Sequence, residues 1–545
     1  MLIFQDIRKL IFERVNEVHK TPENDVYVDP TGHSDFTVRV FRLINQPDGR
    51  EKIEKMIEKI RTIENISGAK LENGYINIYL DKRGVLRYLL DYVEKYGKYP
   101  DTFQEPERVS VEHTSANPTG PLHIGRARNS IIGDSISRLL GRFGYRVTKQ
   151  YFVNDSGKQM LSLYTAYEKY NGPMTMDNLL QDYQKIYKEI EKDKSVEEEI
   201  ENNLMRYERA DPNIYGKLRE IAGVMLQGIT GTLAKVWIGF DEFNWESDFI
   251  RSGEVEKAIE SVNPSEEGGA KYIEVGGRKV FLTRSDGTTL YFSRDIAYHL
   301  YKAQNFDWII NVLGEDHKEH GKLLEHVMKG IMNIESKMSF VYYSFITLES
   351  GKMSTRRGNI VTLEDLIERT FEEALRIVRE KRPDLEEERM KEIAKVIASS
   401  SIRFNIIRVS APKPITFRWD EALNFEGNSA PFIMYTYARG ASIIKKKERD
   451  EKDFSTEMDH EEEELVRQMY LYPYVLSDAA QNLRPDIIAG YLIDLAQKFN
   501  DFYKACRVIG APDGVYDRRI RLIETYMKIV EDAGDILGIK MLEEI

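Results

Sequence analysis

Arg108-Val-Ser-Val-Glu112 alternates as a strand does, Pro118-Thr-Gly-Pro121 interrupts the chain, and Ile131, Ile132, Ile136, Leu139, Leu140 and Phe143 then recur at helical spacing. Strand, tight turn and helix in that order point to a sheet covered by helices, with ligands beyond the carboxyl ends of its strands. The junction reads Asn117-Pro-Thr-Gly-Pro-Leu-His-Ile-Gly-Arg-Ala-Arg128, which sets His123 and Arg126 three residues apart where the helix begins. Free backbone N–H groups and the helix dipole attract anions there, and Gly125 lets a base or phosphate come close to the backbone. An ordinary solvated first turn is the competing reading of the same residues, so the rest of the chain has to decide.

That rest falls into three textures. Residues 1–105 read as a small α+β unit, with strands at Tyr27-Val-Asp29, residues 36–43 and residues 75–80, a charged helix over residues 51–64, and a linker over residues 96–106. Residues 106–385 read as α/β. Further strands are expected at residues 145–153, 307–313 and 339–348, and a charged segment without strand periodicity, about 176–212, reads as a helical insertion. Beyond 385 strands are expected to cease. Helical periodicity runs through residues 386–408, 430–447, 461–480, 486–507 and 517–537, which suggests an α-helical bundle with an exposed connection at residues 445–453.

Composition narrows the partners. The formal net charge of −12 makes the surface as a whole repel nucleic acid, so RNA would have to be held by local basic patches. A lone cysteine, Cys506, excludes an internal disulfide and Cys-based zinc sites, and fits a reducing compartment. Residues 1–17 pattern as an amphipathic helix, and no stretch is long and apolar enough to span a bilayer; a cytosolic protein is expected.

A second basic segment turns the balance at His123. Gly351-Lys-Met-Ser-Thr-Arg-Arg-Gly358 brackets three cations and Ser354 between glycines, a loop able to close over a triphosphate, and its competing reading is a basic surface turn. Two phosphate-competent segments within one α/β region are improbable as coincidence. Pro121-Leu-His-Ile-Gly-Arg126 and Lys352-Met-Ser-Thr-Arg356 resemble the His-Ile-Gly-His and Lys-Met-Ser-Lys-Ser motifs of class I aminoacyl-tRNA synthetases, in the expected order. Within that class the chain is similar to the arginyl-tRNA synthetase family, through Val111-Glu-His-Thr-Ser-Ala-Asn-Pro118, Gln150-Tyr-Phe-Val-Asn-Asp-Ser-Gly157, Leu290-Tyr-Phe-Ser-Arg-Asp-Ile-Ala297, residues 430–439 and residues 495–503. Two positions depart from the motifs: Arg126 replaces the second histidine, and Thr355 replaces the later lysine.

The resemblance implies a Rossmann-like catalytic domain flanked by an N-terminal tRNA-contacting domain and a helical anticodon-binding bundle. It also implies arginine activation by ATP with Mg²⁺ on the phosphates, and transfer to tRNA(Arg). Catalytic residues would be His123, Arg126, Lys352 and Arg356. ATP would meet Pro118, Thr119, Gly120, His123, Gly125, Arg126, Gly314, Asp316, His317, Lys352, Met353 and Ser354. Arginine would meet Glu112, Ser115, Asn117, His123, Tyr291, Asp295 and Asp316; Asp295 is the first choice for the guanidinium, because a carboxylate accepts two parallel N–H bonds from that fork. Asp295 also suits a plain helix-start role.

In the bundle Tyr435, Arg439, Phe499, Tyr503 and Lys504 would meet tRNA, as stacking rings and phosphate-binding cations. Asp316, His317, His320 and His326 cluster in sequence, but adjacent lysines and the lack of nearby cysteine argue against zinc, and no resident metal is expected. A monomer is expected. Alternatives are a class I synthetase for another amino acid, a tRNA-independent nucleotidyltransferase, and a catalytically silent RNA-binding relative.

Overall fold

The computed structural model describes residues 4–29, 33–97, 99, 107–208, 211–348, 361–447 and 454–545. The expected loop at 351–358, and most of the expected linker and bundle connection, lie outside the described residues.

Five parallel strands form the central sheet, in the order Lys337–Tyr343, Trp308–Gly314, Arg108–Glu112, Arg146–Val153, Glu242–Trp245. The chain starts in the middle at Arg108–Glu112, moves outward through the 146 and 242 strands, then returns to the other side at Trp308. Strand order therefore reverses between Arg108–Glu112 and Trp308–Gly314. In a doubly wound sheet the ligand crevice opens at that reversal, beyond the carboxyl ends. Glu112 and Gly314 are the residues that end those two strands.

The helix Ile124–Arg142 is buried along nearly its whole length, including Arg128, Asn129, Ser130, Asp134 and Ser135. A helix buried on all sides has neighbours on all sides. Here the sheet lies on one side and the bundle on the other. Arg403, fully buried, donates to Asp134 at 2.7 Å, to the Val236 carbonyl at 2.9 Å and to the Leu537 carbonyl at 2.8 Å. This one side chain joins the first catalytic helix, the end of the helix Pro212–Lys235 and the last bundle helix, Val515–Leu537.

Several expectations need correction. The run at 339–348 is two strands, Lys337–Tyr343 in the central sheet and Ile346–Leu348, which pairs in parallel with Ile415–Phe417. Strands thus persist past 385, and that pairing ties the chain around 415 to the catalytic half. The insertion is helical as expected, Met176–Ile190 and Lys194–Glu208, and packs around Met160, Leu163 and Met225 in its own cluster. A three-stranded antiparallel sheet, residues 265–281, was not anticipated.

The N-terminal unit is a four-stranded antiparallel sheet, Val26–Val28, Phe36–Arg39, Tyr75–Leu80, Ile66–Glu72, carrying the helices Phe4–Asn16, Gly49–Arg61 and Lys82–Tyr96. Its last helix is held at both ends, by the Asp81 side chain on Arg83 N and by Gly97 at φ 72°. The unit docks on the bundle: Arg467 pairs with Asp35 at 3.1 Å, and the Tyr99 hydroxyl donates to the Tyr470 carbonyl at 3.1 Å.

Candidate active site

Immediately after Glu112 the backbone takes an unusual path. Thr114 and Ser115 have φ of 69° and 36°, a region that costs a side-chain-bearing residue of order 1–3 kcal/mol and persists only where surroundings enforce it. Here they do. Thr114 N donates to Asn129 Oδ1 at 2.6 Å, Thr114 Oγ1 to Ser130 at 2.7 Å, and Ser115 Oγ to Glu112 Oε1 at 2.9 Å. The preceding His113 lies against Gly133, where an added Cβ would stand 2.2 Å from the His113 Cβ. Burial pushes the His113 imidazole down to about 4, so this ring is neutral at neutral pH.

His123 occupies the N-cap of Ile124–Arg142 with extended backbone, and its side chain makes no cap bond, which leaves the imidazole available to a ligand. Burial, together with the Arg126 charge, lowers its pKa, so it offers an N–H donor instead of a second cation. Gly125 keeps the space beside the ring open: an added Cβ would lie 3.0 Å from its Cε1. Thr119 and Gly120 form the turn ahead, with Thr119 N bonded to the Asn117 carbonyl at 2.8 Å. The insertion covers that turn, Leu180 Cδ1 lying 3.6 Å from where a Cβ on Gly120 would be.

Lys352, Met353, Ser354 and Arg356 lie outside the described residues, but the ends of their segment are placed. It leaves from Ile346–Leu348, beside the Ser344 carbonyl that Arg128 holds at 2.7 Å. It returns at Val361, whose carbonyl accepts from Ile124 N at 3.2 Å, while Leu363 N donates to the Leu122 carbonyl at 2.7 Å. The chain resuming at Val361, far from His123 in sequence, is thereby joined to the backbone flanking His123.

A cavity of about 340 Å³ opens at the strand-order reversal, lined by Glu112, Ser115, Asn117, Tyr291, Asp295 and Gly314 among others. Of the expected arginine residues, Glu112, Ser115, Asn117, Tyr291 and Asp295 are brought together in this lining; His123, at the helix N-cap, is not part of it, and Asp316 stands exposed outside it. Both carboxylates already have partners. Lys302 Nζ, fully buried, donates to Glu112 Oε2 at 2.5 Å and to Asn311 Oδ1 at 2.7 Å. Burial lowers the Lys302 pKa, against the pull of Glu112. His320 Nε2 meets Asp295 Oδ2 at 2.5 Å, and His299 Nδ1 stands 3.4 Å from Oδ1. Burial opposes ionisation of Asp295, but the two histidines outweigh it and hold the carboxyl well below the usual range.

Lys302, His299 and Asn311 were missed by sequence reasoning. A signal existed for two of them: Asp295, His299 and Lys302 follow at intervals of four and three, which puts them on one helical face. His320 was noticed as a possible metal ligand; the structure turns it toward Asp295, and Asp316 instead faces His317 at 3.6 Å. Among the described residues a metal-like grouping occurs only at Asp459, Glu462 and Cys506, and there Arg518 and Arg519 already hold Glu462, the former at 2.8 Å and the latter at 3.0 Å. A second cleft of about 260 Å³, near Tyr342 and Leu483, is chiefly apolar and lacks paired carboxylates.

In the bundle, Arg439 lies between two exposed rings, 4.4 Å from the centroid of Tyr435 and 4.8 Å from that of Tyr503, with Lys504 exposed beside them. Phe499 differs. It has no exposed surface and stacks on Tyr526 at 3.9 Å, so it belongs to the core and is withdrawn from the expected tRNA-facing set.

Residues 91–419 match the family described as tRNA synthetases class I (R), catalytic domain, and residues 433–545 match the DALR anticodon binding domain. The parallel sheet, the His123 turn and these matches define a class I tRNA synthetase. The chain is 63% identical over 546 residues to an arginine–tRNA ligase of Thermoplasma acidophilum, with 100% of each covered. It is 35% identical to one of Methanocella arvoryzae, covering 100% of this chain and 99% of that one. The Thermus thermophilus arginyl-tRNA synthetase shares its fold, with a TM-score of 0.86 at 24% identity and 100% of both chains covered. The chain belongs to the arginine–tRNA ligase family.

Proposed function

We propose that the cavity behind Glu112 and the turn at His123 form one site, where L-arginine is activated by ATP and then passed to tRNA(Arg). The observation that carries this reading is the placing of two carboxylates, Glu112 and Asp295, in one cavity that also reaches Arg126. Asp295 takes the guanidinium, Tyr291 lines its path, and Glu112, Ser115 and Asn117 meet the α-amine end. The arginine carboxylate attacks the α-phosphorus in line, so that arginyl-adenylate forms as the α–β phosphoanhydride bond breaks and pyrophosphate leaves; a ribose hydroxyl of the tRNA's terminal adenosine then takes the arginyl group and AMP is released. The attacking carboxylate is already an anion and needs no general base, so catalysis consists of positioning and of neutralising charge on the phosphate oxygens. The His123 N–H and the Arg126 guanidinium supply those donors, with Lys352 and Arg356 expected from the loop beyond Leu348.

Mg²⁺ fits as a companion of the nucleotide: the residues at this turn are donors and cations, so phosphate and water oxygens would hold it, and it would supply further charge neutralisation. Tyr435, Arg439, Tyr503 and Lys504 receive the anticodon arm, and the N-terminal sheet contacts the tRNA elbow. Among the described residues no helix is long and apolar enough to cross a membrane. A cytoplasmic monomer accords with this reading. Charging of total tRNA with labelled arginine, against lysine and glutamine, tests it; failure with arginine overturns it.

A further inference from the structure

Asp295 is occupied before any substrate arrives. His320 Nε2 stands 2.5 Å from its Oδ2, at the wall of the cavity that a guanidinium would enter. A planar fork binds a carboxylate through both oxygens, so it requires the position that His320 now fills. Asp295 contacts a second histidine, but the two are differently held. His299 is 3% exposed and anchored twice, to the Asp295 carbonyl at 2.9 Å and to Asn311 Oδ1 at 3.3 Å. His320 is 24% exposed, with aromatic faces at its sides, Tyr291 at 5.4 Å and Phe292 at 5.5 Å between ring centroids. Of the two, His320 has room to leave.

We propose that His320 is a specificity-determining competitor of the substrate: it holds Asp295 in the free protein and is displaced by the arginine guanidinium. The inference rests on the reading that Asp295 receives that group. When His320 is protonated, its pair with Asp295 is neutral, and an arriving guanidinium exchanges one cation for another. When His320 is neutral, Asp295 keeps an uncompensated negative charge for arginine.

The other titratable and charged groups lining the cavity that this ring faces are Tyr291, Asp295 and His299 on the helix Tyr291–Asn305, Glu112 at the end of the first strand, Arg126 on the following helix, and His317 on the turn before His320, with Asp316 beside His317. His317 faces Asp316 at 3.6 Å, outside the Asp295 pair.

The test is aminoacylation by the full-length chain with saturating tRNA and ATP, the KM for arginine being measured from about pH 6 to about pH 8.5 in wild type, His320→Asn and Asp295→Asn. Wild-type KM rises severalfold toward the acid end while kcat at saturating arginine moves much less. His320→Asn flattens that rise and binds arginine at least as well as wild type near pH 8. A KM curve in His320→Asn that parallels wild type, or a KM raised equally at every pH, overturns the proposal and leaves His320 a structural prop. If His320→Asn fails to fold, His320→Gln is read by the same criteria. Asp295→Asn separates the two claims: an unchanged arginine KM removes the guanidinium reading itself, whereas a raised KM with an unflattened His320→Asn profile removes only the competitor.

Discussion

The cavity and the bundle surface handle charge in opposite ways. Asp295 and Glu112 are enclosed: Glu112 bonds Ser115 and Lys302, and Asp295 bonds His320 with His299 beside its other oxygen at 3.4 Å. Arg439 lies half-buried at the bundle surface, resting on the exposed rings of Tyr435 and Tyr503 and bonded to Asn500 at 2.7 Å. An enclosed, fully paired site discriminates sharply, because a ligand that fails to replace each bond leaves a buried charge or donor unpaired. An open cation between rings accommodates many bases at little cost and discriminates weakly. Small-molecule choice belongs to the first region, and grip on a macromolecule to the second.

Substitutions can break that contrast. The largest effect is expected for Phe499→Ala, which empties a stacked core position and lowers stability by about 3–5 kcal/mol; the KM for tRNA, measured below the melting transition, stays near wild type. A tRNA-specific loss without a fall in Tm would return Phe499 to the binding surface. Asp295→Asn comes next. Removing one partner of a buried charge pair costs about 2–5 kcal/mol, so the arginine KM rises by about 30-fold or more while the tRNA KM is held.

A third effect concerns pH. His113 titrates near 4 in the folded chain because of burial, against about 6.5 when unfolded. Between those values the unfolded chain binds a proton that the folded chain refuses, so stability falls as pH drops through this window and is level above it. From pH 7 to pH 5 wild type should lose roughly 2 kcal/mol more than His113→Phe in denaturant melts. Equal losses would show that His113 is charged in place. Smallest is Tyr435→Ala or Tyr503→Ala, at about 1 kcal/mol each in the tRNA KM, with the arginine KM unmoved. A shift in arginine KM of the same size would join the two regions.

Much of this was legible in the sequence, for definable reasons. The strand–turn–helix junction at 108–143 and the parallel strands at 146 and 308 announce themselves through local periodicity. So do Tyr291 and Asp295, through a resemblance carried by contiguous residues. Lys302 and Asn311 meet only in three dimensions, across a helix and the following strand. Phe499 and Tyr503 share one helix and one residue class; which ring is buried depends on where Val515–Leu537 packs, and helical spacing alone is silent on that. Ile66–Glu72 hid because its burial does not alternate cleanly and its register shifts between Ile66 and Gly68.

The central claim is that Asp295, enclosed in the cavity, reads the charge of a guanidinium. Citrulline keeps the length and nearly the shape of arginine but replaces the charged fork with a neutral urea. Its kcat/KM in tRNA charging, compared with arginine on the wild-type chain, should be lower by about 10⁴-fold or more, since a site built to bond a charged group leaves its own groups unpaired when that group is missing. Charging of citrulline within about tenfold of arginine would contradict the account.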